Sequence, residues 1–341
     1  MPTESTSRLQ DSDLDEADRR ILHALQVRPR ASWTLLGEVL GLDPATVARR
    51  WERLAGDGLA WVTAYPARLV GSDPAGALVE LESRAGHVHA LVDELAHDPQ
   101  CLSIDVTAGS RDLLLTVAAT DQTALAEYLV DRLGRMRSIR SIRSQIVAEV
   151  LADASTWRLR ALDPETVARL EEPAPPLARR ATTPLEQSVV AELAADGRVS
   201  ATALAGRLGV SERRARDTLR TVLHGHVRLR TEVTRAVSGW PVNAWYFLRV
   251  PAAQAQRVGT ELGRVEEVRT VMSTIGSWNI AVGVWLRTLT DVQRLESTLE
   301  ARLPGVVIVD RSTVLRTAKI VGTVLDASGR RTARVAIPVV R

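Results

Sequence analysis

The sequence predicts an α+β chain in which two winged-type helix-turn-helix domains alternate with two βαββαβ domains, and three observations lead there. "LGLDPATVARRWERL" (40–54) and "LGVSERRARDTLRTV" (208–222) keep the same apolar letters at a shift of 168 residues, Gly41 to Gly209. Downstream, "TAGSRDLLLTV" (107–117) meets "TIGSWNIAVGV" (274–284) at a shift of 167, Gly109 to Gly276, so the repeat is a two-part unit run twice. A length of 341 residues exceeds one ordinary core, and 45% hydrophobic with 25% charged residues is the balance of a folded globular chain.

Residues 1–12 are polar and are expected to be a disordered tail. The first helix-turn-helix domain is placed at 13–66. "DEADRRILHAL" puts Ile21, Leu22 and Leu25 on one face, with Asp15 and Glu16 at the positive end of the helix dipole. "SWTLLGEVLG" has Ser32 as N-cap and Gly41 as stop. "DPATVARRWERLAGDG" has Asp43 as N-cap, Pro44 at the first helical position, and Gly56 or Gly58 at its end. Residues 75–152 then alternate strand and helix periods through "ALVELES", "GHVHALVDELAHDP", "CLSIDVTAG", "RDLLLTVAA", "DQTALAEYLVDRLG" and "IRSQIVAEVL". The order βαββαβ is the ferredoxin-like split βαβ. Residues 153–182 are expected to be a connector, with one short helix before a semi-rigid stretch at Pro173, Pro175 and Pro176. A second helix-turn-helix domain (183–235), a second βαββαβ domain (242–317) and a C-terminal hairpin or tail (318–341), turning at Ser328-Gly329, complete the chain.

Composition narrows the function classes. No apolar run approaches a bilayer span and the N-terminus has no apolar signal core, so a cytoplasmic protein without a membrane partner is expected. The single cysteine, Cys101, permits no intrachain disulfide and sits among apolar letters that favour packing over reactivity. Net charge is only +3, but of 44 basic residues Lys319 is the one lysine. Arginine's planar fork matches phosphate oxygens and guanine edges. A GC-rich coding sequence produces the same bias, so the positions of the arginines must decide.

Signatures of nucleotide binding, zinc proteolysis, serine hydrolysis and paired CxxC chemistry are absent, so no catalytic residue and no cofactor are expected. His87, His89 and His97 surround one helix, and His224 and His226 flank Gly225. Neither set is joined by a cysteine or a tight carboxylate cluster, and no metal is expected.

The chemistry concentrates on the third helix of each helical unit. In the first, Val47, Trp51 and Leu54 form the inward stripe, while Thr46, Arg49, Arg50 and Arg53 form the outward one. In the second, Ala215, Leu219 and Val222 keep the packing rule, while Arg213, Arg214, Asp217 and Thr218 replace the outward letters. The exposed face of the last helix is what enters a major groove. Arginines donate to guanine or phosphate and a carboxylate accepts from cytosine N4, so the two faces suit unlike base edges of double-stranded DNA. A solvated basic face, or a second copy kept only for assembly, remains open at this point.

The stretch "LDEADRRILHALQVRPRASWTLLGEVLGLDPATVARRWERLAGDGLAWVTAYP", followed by βαββαβ with its "GSRD" turn, resembles the Lrp/AsnC transcriptional regulators. The resemblance covers nearly the whole chain outside connector and tails, and implies a DNA-binding module joined to an effector-binding RAM domain, here fused as a pseudo-dimer that is expected to form homo-oligomers. It further implies a small effector, such as an amino acid, near the turn between the second and third RAM strands. Those turns are Gly109, Ser110, Arg111 and Asp112, and Gly276, Ser277, Trp278 and Asn279. Asp112 is expected to hold a ligand ammonium and the glycine amides a carboxylate, with a tight turn braced by its own side chains as the alternative. The sirohaem decarboxylases resemble the same two-part unit. Their chemistry needs histidine, and none recurs at matching positions in these halves. An assembly protein with vestigial DNA modules is the third reading. Trp245 and Trp285 are candidates for filling an interface between domains.

Overall fold

A computed structural model describes residues 14–66 and 75–337, except 174, 177, 179 and 181. The tail expected at 1–12 and the last residues of the expected C-terminal segment lie outside the described residues.

The first helical head consists of α1 (Glu16–Val27), α2 (Trp33–Leu40) and α3 (Pro44–Gly56). Its boundaries follow local chemistry. Asp15, Ser32 and Asp43 each accept a backbone N–H of the first turn, and Gly41 closes α2 at φ 68°. Ile21, Leu22, Leu25, Leu36, Val47, Trp51 and Leu54 are buried together. A second head repeats this order in α7 (Pro184–Ala195), α8 (Ala201–Leu208) and α9 (Glu212–Leu223), with a capping box between Thr183 and Glu186, Ser200 and Ser211 as further caps, and Gly209 at φ 64°.

Each head is followed by one strand, β1 (Ala60–Pro66) and β6 (Val227–Val233). The wings expected within each domain are instead shared. β1 pairs antiparallel with β6, from Ala60 opposite Val233 to Pro66 opposite Val227, which satisfies two otherwise open edges and ties the heads together.

The first βαββαβ set is β2 (Ala75–Ser83), α4 (Val88–Ala96), β3 (Cys101–Thr107), β4 (Leu113–Ala119), α5 (Gln122–Glu127, continued by a π turn) and β5 (Ile139–Ala152). The same order returns in β7 (Val242–Arg249), α10 (Ala255–Leu262), β8 (Val268–Ile275), β9 (Ile280–Leu286), α11 (Asp291–Arg302) and β10 (Val307–Ile320). The strands run β10-β3-β4-β2-β5-β8-β9-β7, and an additional β10–β7 pairing closes these eight into a barrel. Pairing between the sets is therefore internal to one chain, through β5–β8 and β10–β3. The helices pack on the outer faces, over cores centred on Leu81, Leu91 and Leu115 and on Tyr246, Leu262 and Val282. The barrel interior holds Leu78, Leu114, Trp245, Phe247 and Trp278.

The connector departs from expectation. Its first part belongs to the first head: Trp157, Leu159 and Leu170 are buried in that core, and α6 (Pro164–Leu170) is capped by Asp163. His23 Nδ1 accepts from the amides of Ala161 and Leu162, and Gln26 from Leu159. Prolines alone suggested a spacer, whereas the apolar letters of "TWRLRALDPETVARL" supply a docked strap. The C-terminal hairpin forms as β11 (Thr323–Leu325) and β12 (Arg331–Arg334), with Gly329 at φ 83°. It reaches both heads. The Arg331 amide donates to the Gly58 carbonyl and its guanidinium to that of Ala195, at 2.9 and 3.1 Å. A Cβ on Gly58, itself at φ 68°, would meet the Arg331 carbonyl at 2.7 Å, so this close approach needs glycine.

Candidate functional site

The inward stripes of α3 and α9 are buried as their spacing requires, leaving two basic faces at the surface. They differ in what is free. On α3, Arg49 is exposed and has no ion pair among the described residues, and Thr46 is half-buried in the first turn. Arg53 is exposed and Arg50 half-buried on the same face, and both also carry ion pairs. Arg50 donates to Asp15 at 2.7 Å and Asp18 at 2.9 Å, and Arg53 donates to Asp18 at 2.5 Å. Asp18 is buried, so these arginines satisfy its charge and brace α3 against the start of α1. Hydrogen bonding to the two carboxylates raises the Arg50 pKa, and the Asp18 amide lowers that of Asp15.

On α9, Arg213 and Arg214 are exposed without ion pairs among the described residues. Asp217 is shared with Arg220 at 2.9 Å, an exposed pair that water and salt weaken, and Thr218 is half-buried beside it. Arg216 pairs with Glu212 along the same helix. The surface thus offers Arg49 from one head and Arg213 with Arg214 from the other, on capped helices whose backbones are fixed.

The turns expected to hold an effector spend their side chains internally. Gly109 takes φ 115° and Ser110 donates to Asp310 at 3.1 Å. Arg111 is buried in the barrel, donating to Glu80 at 2.7 Å, to Ser312 at 2.5 Å and to Asp310, with its guanidinium 4.4 Å from the Phe247 ring centre. Asp112 accepts the Ser83 amide at 2.7 Å, so its carboxylate braces the strand ends where a ligand ammonium was expected. In the matching turn, Gly276 lies against Gln145, whose amide donates to Ser277 at 3.3 Å. Trp278 is buried with its ring centre 4.6 Å from that of Phe247, and Asn279 bonds both backbone groups of Val250.

Open space lies away from these turns, a cavity of about 510 Å³ between the β1–β6 ribbon, the barrel mouth and the C-terminal hairpin. Trp61 and Tyr65 line it from the ribbon, Thr234 and Arg235 from the segment that follows β6, Asp105, Trp245, Arg269 and Trp285 from the barrel, and Leu325 from the hairpin. Asp105 accepts from the Trp245 indole at 2.9 Å and the Thr317 hydroxyl at 2.6 Å, and burial pushes its carboxyl above the usual range. Arg269 pairs with Glu232 at 3.1 Å over the Trp285 ring at 3.8 Å, and burial pulls it down to about 9. Trp285 also stands edge-on to Trp157 in the first head's core, so it does fill a junction between domains. Sequence reasoning missed this cavity. Its available signals were Asp105 and Arg269, charges inside otherwise apolar strands.

Comparison with known proteins then places the chain. An AsnC-type helix-turn-helix domain model matches residues 14–55, and an Lrp/AsnC ligand-binding domain model matches 76–157. The HTH-type transcriptional regulator AldR of Mycolicibacterium smegmatis is 31% identical over 147 residues, covering 42% of this chain and 86% of that regulator. The chain belongs to the Lrp/AsnC family. The Bkd operon transcriptional regulator of Pseudomonas aeruginosa is likewise 31% identical, over 39% of this chain and 90% of its own length. Over the full architecture, the crystal structure of the siroheme decarboxylase NirDL superposes with a TM-score of 0.58 at 16% identity, covering 90% of this chain and 93% of that one. At that identity the likeness concerns the fold. As an Lrp/AsnC protein the chain presents α3 as the third helix of its AsnC-type domain, with Arg49 on the open face. No helix of the described residues is long and apolar enough to cross a membrane.

Proposed function

We propose that this Lrp/AsnC protein is a sequence-specific transcriptional regulator built from a duplicated unit, in which α3 and α9 of one chain read two unlike half-sites of double-stranded DNA. The observation that carries the reading is the set of arginines without ion pairs among the described residues, Arg49 on one head and Arg213 with Arg214 on the other, presented on capped helices joined by a shared ribbon. Each good bidentate base contact contributes about 1–3 kcal/mol of discrimination, and phosphate contacts add a salt-dependent term. Thr46, Asp217 and Thr218 flank these arginines and would tune base preference. Arg50 and Arg53 would support the α3 face from behind.

A small effector would act by changing how the heads sit on the barrel, which alters their presentation to DNA. The pairing that such proteins need between ligand-binding domains is available inside this one chain, and light scattering counts any further copies. A haem-biosynthesis enzyme reading rests on the fold likeness to NirDL. The described wall of the cavity holds no histidine, which favours the regulator. The test is selection of bound genomic fragments, followed by anisotropy titration at several salt concentrations. Enrichment of a common motif with a steep salt slope is expected; equal binding to any duplex would overturn the reading.

A further inference from the structure

The C-terminal hairpin touches both heads, the barrel and the cavity. At its far strand the Arg331 amide donates to the Gly58 carbonyl at 2.9 Å and the Arg331 guanidinium to the Ala195 carbonyl at 3.1 Å, while the Arg330 guanidinium donates to the Asp57 carbonyl at 2.9 Å. Asp57 and Ala195 stand at the C-terminal ends of α3 and α7, where the helix dipole is negative and a guanidinium is favoured. Nearer the barrel, Val321 and Leu325 line the cavity. The hairpin has little structure of its own. Its strands have three and four residues, and two paired positions, Lys319 with Val324 and Ile320 with Thr323, join it to β10. A two-stranded hairpin of this size is marginal by itself and depends on what it docks against.

The root of the hairpin is strained. Val321 and Gly322 form the two-residue turn from β10 to β11, at φ 45° and 81°. Positive φ at both positions belongs to the type I′ turn, which asparagine followed by glycine fits and a β-branched side chain does not. Contacts from outside the turn hold Val321 there. Its amide donates to the Ser103 hydroxyl at 3.0 Å, the Gly322 amide to the Leu102 carbonyl at 2.8 Å, and its side chain packs on the cluster of Tyr65, Leu102, Ala118 and Ile337. A strained residue persists only where its surroundings over-determine it, and such residues gather at switching parts of proteins.

We propose that the hairpin is a hinged clamp: it turns at Val321, and in letting go at Arg330 and Arg331 it loosens both heads on the barrel together. Strain at the root favours release, and the grip on Asp57, Gly58 and Ala195 opposes it. Release also opens one wall of the cavity and weakens DNA binding, because the loosened heads no longer keep the one placement in which α3 and α9 meet their half-sites. That last consequence rests on the regulator reading and deepens it; the hinge stands apart from it.

The test is hydrogen–deuterium exchange of the full chain read by mass spectrometry, with DNA affinity followed in parallel by anisotropy. Amides of 323–335 are expected to exchange faster than those of β4 and β9, since a local opening exposes them without global unfolding. Val321→Asn relieves the turn and is expected to slow hairpin exchange about fivefold. Arg331→Ala removes one charge-assisted bond and is expected to speed it about tenfold, together with the head segments 55–60 and 192–197. Gly58→Ala, whose Cβ would meet the Arg331 carbonyl at 2.7 Å, is expected to act in the same direction. Exchange in β4 and β9 stays at the wild-type rate in all three. Hairpin exchange as slow as that of β4, no slowing in Val321→Asn, or head segments that ignore Arg331→Ala would overturn the clamp. In DNA binding, Arg331→Ala is expected to lower affinity about fivefold. Faster exchange with unchanged affinity sinks the link to DNA alone. A wild-type protein that selects no duplex sinks the regulator, and the exchange data still decide the hinge.

Discussion

Arg30 and Arg198 hold each other's loops. Arg30 donates to the carbonyls of Gly197 and Val199 at 2.6 and 3.0 Å, and Arg198 to those of Pro29 and Ala31 at 2.6 and 2.9 Å. Each arginine sits between the carbonyls that its counterpart binds in the other head, which is what a two-fold relation between the heads requires. Arg198 also covers the Trp33 ring at 3.9 Å, and burial with the nearby Arg30 charge pulls it down to about 10. Hydrogen bonds from charged donors contribute roughly 1.5–3 kcal/mol, so Arg30→Ala and Arg198→Ala are each expected to lower unfolding free energy by about 2 kcal/mol. Denaturant titration checks it; a change below roughly 0.5 kcal/mol in both would show that the heads do not rely on this exchange.

Arg49 and Arg50 are neighbours with different work. Arg50→Ala leaves buried Asp18 short of a partner and is expected to cost about 1–2 kcal/mol of stability, read by thermal melting. Arg49→Ala is expected to leave the melt unchanged while weakening operator binding roughly 5- to 150-fold, the equivalent of about 1–3 kcal/mol. Loss of DNA affinity by Arg50→Ala alone, with the melt intact, would reverse the assignment.

His23 gives the protein an acid sensitivity. Burial, aided by the Arg158 and Arg160 charges, lowers its pKa from 6.5 to about 4, and its ring nitrogen accepts two amides from the strap, which requires the neutral form. The unfolded chain binds the proton first, so this stability is present above pH 6.5 and is lost as pH falls to about 4. Across that window the loss is roughly 3 kcal/mol. His23→Gln should flatten the stability profile there; an unchanged slope would show that other groups set it.

Arg111 is a structural clamp between the first turn and β10. Arg111→Met leaves Glu80 buried and weakens the junction with Asp310 and Ser312, an expected loss of about 3–5 kcal/mol by urea unfolding. Retained stability together with lost response to effector would return this turn to a ligand role.

The helices were legible because their information is local: Ser32, Asp43, Gly41 and Gly209 cap and stop them wherever the rest of the chain goes. The strand order was legible from periodicity. The partners of Arg50 and Arg53 were not, because Asp15 and Asp18 come from another helix and a wheel shows one helix at a time. Closure of the barrel and the β1–β6 ribbon depend on edges meeting between segments far apart in the chain, and an edge strand reads the same whether or not it has a partner. The cavity was hidden for the same reason, since its wall is assembled from ribbon, barrel and hairpin.

The central claim is that one chain reads DNA with two unlike helices, and footprinting of a selected fragment with head-specific variants tests it most directly. Two adjacent protected half-sites of different sequence are predicted, with Arg49→Ala losing one and the double change Arg213→Ala with Arg214→Ala losing the other. Protection that survives both variants, or that vanishes as a whole with either, would contradict it.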